Sequence, residues 1–306
     1  MPVTAKLVGS LPVANELGEG VIWDHRDQAF WWTDIQGSLL FRYRLGSEEL
    51  ATFPMPERLA CFARVQGCDF FLGGFASGFA YFDPATGDRL PLESLSGLGP
   101  GMRLNDGRVD RQGRFWVGGM VEDDELATSG APMFCLDAMH AVSQPLSGLS
   151  ISNSLCWSPD GTTCYHTDTP TRVIHRYPFD VEAGELGVAQ PFVATEQGCF
   201  PDGSCIDADG FLWNAQWGGG RVVRYAPDGS EDFTLAVPVR QPSCAALGGP
   251  DLNILAVTTA RQDMTDEALE AEPEAGNLFL YETNVRGIAD PEFRTSAAPE
   301  SLPSRF

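Results

Sequence analysis

Long apolar runs are missing from this chain. No stretch approaches the roughly 18 residues that a membrane-crossing helix needs. The N-terminal segment MPVTAKLVGSLPV carries one lysine and no extended apolar core, so no secretory leader is expected. C-x-x-C pairs are also missing. The eight cysteines are Cys61, Cys68, Cys135, Cys156, Cys164, Cys199, Cys205 and Cys244, and most lie in apolar runs such as SLCWS. That distribution reads as buried free thiols in a reducing compartment, not as a disulfide framework or a thiolate zinc site. Positive charge is scarce: 20 Lys and Arg stand against 42 Asp and Glu, a net charge of −22. A surface of that sign repels nucleic acid and anionic membranes, and neither is expected as a partner. These features predict a soluble, cytoplasmic protein.

Several catalytic signatures are absent as well. There is no G-x-S-x-G elbow, no H-E-x-x-H and no P-loop. The glycines of GLGPGM (97–102) lack the strand–helix setting of a dinucleotide fold. Of the four histidines, His25 and His175 read as surface residues, and His140 sits in no motif. His166 reads as a satisfied structural residue. Helix signal is almost nil. One candidate covers 265–276, with Thr265 as cap and acids in the first turn.

Turn residues, in contrast, are plentiful. The 33 glycines and 22 prolines are spread along all 306 residues as punctuation between short strands. A unit recurs: a polar residue, a short apolar run, a turn, then an aromatic-rich strand. It begins at Glu19, Leu59, Asn105, Asn153, Asp202 and Pro242, with spacings of 40, 46, 48, 49 and 40. A third strand follows in every unit, and a weaker fourth in several. Six units of about four antiparallel strands predict an all-β, six-bladed β-propeller. The whole chain, 1–306, reads as one such domain, because stacked blades bury one another's faces. The last unit lacks an outer strand, and TAKLVGS (4–10) is predicted to supply it and close the ring.

The unit starts share one repeat position, so they are expected to ring the central channel on the innermost strands. Glu19, Asn105, Asn153 and Asp202 can offer side-chain oxygens there. Each alone fits a turn or strand cap. Turn chemistry, however, does not require all four to fall in one register. Converging carboxylates and amides suit a hard cation such as calcium, magnesium, manganese or ferrous iron. The same register separates the two Asp-Gly pairs of FPDGSCIDADGFLW (200–213). Asp209-Gly210 reads as a hairpin turn, and Asp202-Gly203 as a ligand position.

LGEG (17–20), RLNDGRVDRQGRFWVGGM (103–120), ISNSLCWSPDG (151–161) and FPDGSCIDADGFLW together resemble the regucalcin/gluconolactonase family. The likeness runs from about residue 10 to 282. It implies one divalent cation (calcium, manganese, zinc, magnesium or ferrous iron) held by Glu19, Asn153 and Asp202. It also implies Arg103, Asn105 and, shortly after GGM, Glu122 as substrate contacts. Most such enzymes hydrolyse sugar-acid lactones to aldonic acids, for which Asp202 is the expected general base and a small sugar lactone the partner. The alternatives are a calcium-binding regulator without turnover and a broader lactone or phosphotriester hydrolase. The sequence departs from the family pattern at Val21, where proline is common, and at Ser154, where glycine is common.

Overall fold

Six antiparallel sheets surround a central channel, and chain order equals blade order. The structure is a computed structural model and describes residues 2–92, 95–296, 298–300 and 302. From the innermost strand outward, blade one is Gly18–Asp24, Ala29–Asp34, Leu39–Arg44 and Glu49–Pro54. Blade two is Leu59–Arg64, Phe71–Phe75, Gly78–Phe82 and Arg89–Pro91. Blade three is Met102–Val109, Phe115–Val121, Ala131–Leu136 and Val142–Leu149. Blade four is Ser152–Trp157, Thr163–Asp168, Val173–Asp180 and Gln190–Ala194, with Glu185–Leu186 as a short extra strand on Val173–Asp180. Blade five is Phe200–Ile206, Leu212–Trp217, Arg221–Tyr225 and Glu231–Ala236.

Blade six is completed from the other end of the chain. Pro242–Gly248, Ile254–Thr259 and Leu278–Thr283 are joined by Ala5–Leu11 as the outermost strand, with Ala5 opposite Thr283 and Leu11 opposite Leu278. The predicted N-terminal closure is therefore present. It covers the edge of Leu278–Thr283, which would otherwise expose unpaired backbone groups.

Aromatic side chains glue adjacent blades. Successive residues of a strand point to opposite faces, and here both faces are covered. In the run AFWWTD, Phe30 and Trp32 pack toward blade six with Ala246, Ala256 and Leu280, while Trp31 packs toward blade two with Phe62 and Phe71. Trp116, Trp157 and Phe179 fill the gap between blades three and four. Burying such side chains stabilises by about 25 cal/mol per Å² of apolar surface.

Turns between the first two strands carry their own hydrogen bonds. In blade three Asp110 Oδ1 accepts from the backbone nitrogens of Gln112 and Arg114 at 2.9 and 3.0 Å, and its Oδ2 accepts from Trp116 Nε1 at 3.0 Å. Blade five repeats this with Asp207, Asp209, Phe211 and Trp213. Gly210 lies at φ +82°, as a turn glycine there requires. Asp209-Gly210 is thus the expected hairpin turn, but Asp207 organises it.

The helix is shorter than its sequence signal. It covers Asp266–Ala271, with the Thr265 side chain accepting from Ala268 N at 3.3 Å, and Pro273 follows close behind its end. No helix among the described residues is long and apolar enough to cross a membrane. The stretch 287–294, which carried no sequence signal, packs across the channel end away from the site described below. There Phe293 bridges to Val65, and Asp290 Oδ1 accepts from Arg108 Nη1 at 3.0 Å.

Candidate active site

Every innermost strand carries one extra residue near its start. Pairing to the second strand shifts between Glu19 and Ile22, Leu59 and Cys61, Leu104 and Gly107, Asn153 and Cys156, Pro201 and Ser204, and Pro242 and Cys244. Such β-bulges break the ladder and re-aim side chains. The oxygen-bearing residues sit at or inside these bulges. Gly20 and Ser154, directly after Glu19 and Asn153, both have left-handed backbone, at φ 59° and 60°.

The result is a cavity of about 330 Å³ at the head of the channel, with Glu19, Arg103, Asn105, Asn153 and Asp202 on its polar part. Leu17, Met120, Ile151, Pro170, Phe200 and Trp217 form its apolar part, with Phe200 and Trp217 opposite each other in register. The other two ring positions do not line it. Leu59 packs between blades one and two, and Pro242 pairs with Thr259. Glu122 does not line it either: its carboxylate accepts from Arg103 Nε at 2.8 Å and from Arg58 Nη1 and Nη2 at 2.7 and 2.8 Å.

A chain of hydrogen bonds crosses three blades. Arg103 Nη1 donates to Asn105 Oδ1 at 2.6 Å, and Asn105 Nδ2 donates to Asn153 Oδ1 at 3.0 Å. Asn153 Nδ2 donates to Thr169 Oγ1 at 2.9 Å, and Thr169 Oγ1 donates to the Pro201 carbonyl at 2.9 Å. This chain fixes which end of each amide is oxygen. Arg103 Nη1 also reaches the Leu104 carbonyl at 2.9 Å, leaving Nη2 without a partner among the described residues.

The electrostatics centre on Glu19 and Asp202, which lie within hydrogen-bonding reach of each other. Burial, with Asp106 adding repulsion, pushes Glu19 up to about 7. Burial, then the charges of Glu19 and Asp106, push Asp202 well above the carboxylate range. Burial also raises Asp106, which accepts from Leu155 N at 2.8 Å. Desolvation lowers the guanidinium of Arg103, against the opposing pull of Glu122. Desolvation likewise disfavours charge on Glu122, but its two guanidinium partners outweigh that and hold its carboxyl low.

The donor set fits a hard divalent cation. Asp202 Oδ1 is buried and has no hydrogen-bond partner, a costly state for a carboxylate oxygen unless a ligand meets it. Glu19 and Asp202 repel each other, and a cation between them would reverse the sign of that interaction. Among the described residues no three His, Cys, Asp or Glu side chains cluster as metal ligands, so the set is two carboxylates plus the Asn153 amide. Asp106, Thr169 and Ser154 escaped the sequence reading as site residues. Asp106 directly follows Asn105 in the RLND motif, but only its place within the bulge between Leu104 and Gly107 brings it to the site.

The chain is similar to known proteins over most of its length. The family model for the SMP-30/Gluconolactonase/LRE-like region matches residues 17–261. L-arabinolactonase of Azospirillum brasilense is 41% identical, over 91% of this chain and 92% of its own length. 6-deoxy-6-sulfogluconolactonase of Pseudomonas putida is 37% identical, over 96% and 99%. A solved regucalcin from Agrobacterium tumefaciens, described as a calcium-binding protein, superposes with a TM-score of 0.88 at 33% identity, covering 94% of this chain and 98% of that one.

Proposed function

The chain belongs to the SMP-30/gluconolactonase/LRE-like family, and from that premise we infer a sugar lactonase that uses one divalent cation to open an aldonolactone to its aldonic acid. The observation that carries this reading is the orphaned Asp202 Oδ1 beside Glu19 on the polar part of the cavity. Glu19, Asn153 and Asp202 are the proposed ligands. A cation there would polarise the lactone carbonyl and offset the negative charge that develops on its oxygen.

The chain's own groups account for the remaining steps. Asp202 takes a proton from water as the water oxygen bonds to the carbonyl carbon. The ring C–O bond breaks, and that proton passes to the departing ring oxygen. Arg103 Nη2 and Asn105 hold the polar edge of the sugar, while the apolar wall with Phe200 and Trp217 covers its C–H face. Glu122 acts on substrate through Arg103, by fixing the guanidinium plane. A regulator that only bound calcium would have no use for a cavity-lining guanidinium with one nitrogen left unpartnered among the described residues, which favours turnover over that alternative.

The test is a panel of glucono-, xylono- and arabinonolactones, assayed with calcium, manganese, zinc, magnesium or ferrous iron added back after chelation. At least one pair is expected to release acid well above spontaneous ring opening. Failure of every pair would refute the proposal.

A further inference from the structure

We infer that Ser154 is a positioning residue for the cation site, holding the peptide of Asp202 from the neighbouring blade; this rests on the reading of Asp202 as a ligand. Asp202 sits in the bulge of blade five, between the register pairs Pro201–Gln216 and Ser204–Asn214. The ladder therefore does not fix its peptide, although its side chain must aim at one point.

The missing restraint comes from both sides. From blade four, Ser154 Oγ donates to the Asp202 carbonyl at 2.7 Å and accepts from Ser204 Oγ and Asn214 Nδ2, each at 3.0 Å. Asn214 Nδ2 also reaches the Asp202 carbonyl at 3.0 Å. From blade six, Cys244 presses so closely that a Cβ on Gly203 would lie 2.6 Å from its Sγ. The peptide after Asp202 is thus clamped between a hydroxyl network and a sulfur.

Ser154 makes its contacts from an unfavourable backbone. It is fully buried, and its φ of 60° is one that glycine adopts freely and serine does not. A glycine would relax the turn after Asn153 but would carry no hydroxyl. The serine therefore exchanges local backbone comfort for a hydrogen bond to the backbone of a ligand, in the same turn that aims Asn153. Strain kept at such a place is a pointer to function.

The test compares Ser154→Gly, which removes both hydroxyl and strain, with Ser154→Ala, which removes the hydroxyl alone. Each full-length, chelator-stripped protein is titrated calorimetrically with Mn²⁺, and its melting temperature is measured without cation. Both variants are expected to bind Mn²⁺ about fivefold more weakly, the value of one ordinary hydrogen bond. Ser154→Gly is expected to melt above Ser154→Ala. Wild-type affinity in both variants, or weakening in only one of them, overturns the inference. If Ser154→Ala does not fold, Ser154→Gly decides alone: weakened binding supports the role and wild-type binding overturns it. Glu19→Gln separates the two levels. If the wild type binds no Mn²⁺, or Glu19→Gln binds like wild type, the ligand reading falls and takes this inference with it. If Glu19→Gln abolishes binding while Ser154→Gly keeps wild-type affinity, only the role of Ser154 falls.

Discussion

Asn105 donates from Nδ2 to Asn153 Oδ1 at 3.0 Å, joining the innermost strands of blades three and four at the head of the channel. That bond settles the orientation of both amides. It links Arg103, a proposed substrate contact, to Asn153, a proposed cation ligand, so on that proposal both kinds of contact depend on one set of bonds.

Thr169 is the far anchor of that chain. Thr169→Val keeps the shape but leaves the Asn153 amide nitrogen without its acceptor. The expected cost is about 1–2 kcal/mol of stability, with cation affinity about tenfold weaker as the amide gains freedom. Thermal melting and cation titration check both.

Glu122 is expected to act on substrate binding and not on the cation. Glu122→Gln removes the charge that holds Arg103 and Arg58. KM for the lactone should rise about tenfold while cation stoichiometry stays unchanged. Steady-state kinetics alongside calorimetry separates the two effects.

His166 should make the fold acid-sensitive. Its ring nitrogen pairs with Ser152 Oγ at 2.9 Å, and burial, with His175 opposite it, lowers its pKa from 6.5 to about 3. The folded protein therefore binds fewer protons here than the unfolded chain between those values. Stability contributed by the neutral ring is full above about pH 6.5 and is lost as pH falls toward 3. The slope is about 1.4 kcal/mol per pH unit. Denaturant melts of wild type and His166→Gln across pH 4–7 are expected to show a shallower slope in the variant.

Ring closure is testable by truncation. Removing residues 1–11 deletes the strand paired to Leu278–Thr283 and uncovers that edge. The expected result is a melting temperature lower by about 10 °C and a greater tendency to associate, read by calorimetry and light scattering.

Much of this architecture was legible in the sequence because a propeller repeats its physics. Each blade needs a turn, an apolar run and an aromatic strand, so Glu19, Asn105, Asn153 and Asp202 could be placed on one ring by counting. The bulges were not legible. They are irregularities of strand pairing that leave no mark in hydrophobic pattern, so Asp106 escaped notice and Leu59 and Pro242 were given ring places that do not reach the cavity. Thr169 was invisible for another reason: its bond to the Pro201 carbonyl spans two blades and has no periodic signal. Asp207 was overlooked beside Asp209 because the Asp-Gly pair marks the turn, while the residue that binds it together lies two positions earlier.

On the proposed function, Glu19 and Asp202 together hold the one cation on which turnover depends. The direct measurement is Mn²⁺ bound per chain in wild type, Glu19→Gln and Asp202→Asn, with lactone hydrolysis followed on the same chelator-stripped and reloaded samples. One Mn²⁺ per wild-type chain is predicted, lost in both variants, with kcat falling at least about 100-fold in parallel. Full hydrolysis by stripped enzyme, or one Mn²⁺ still bound per chain in both variants, would contradict it.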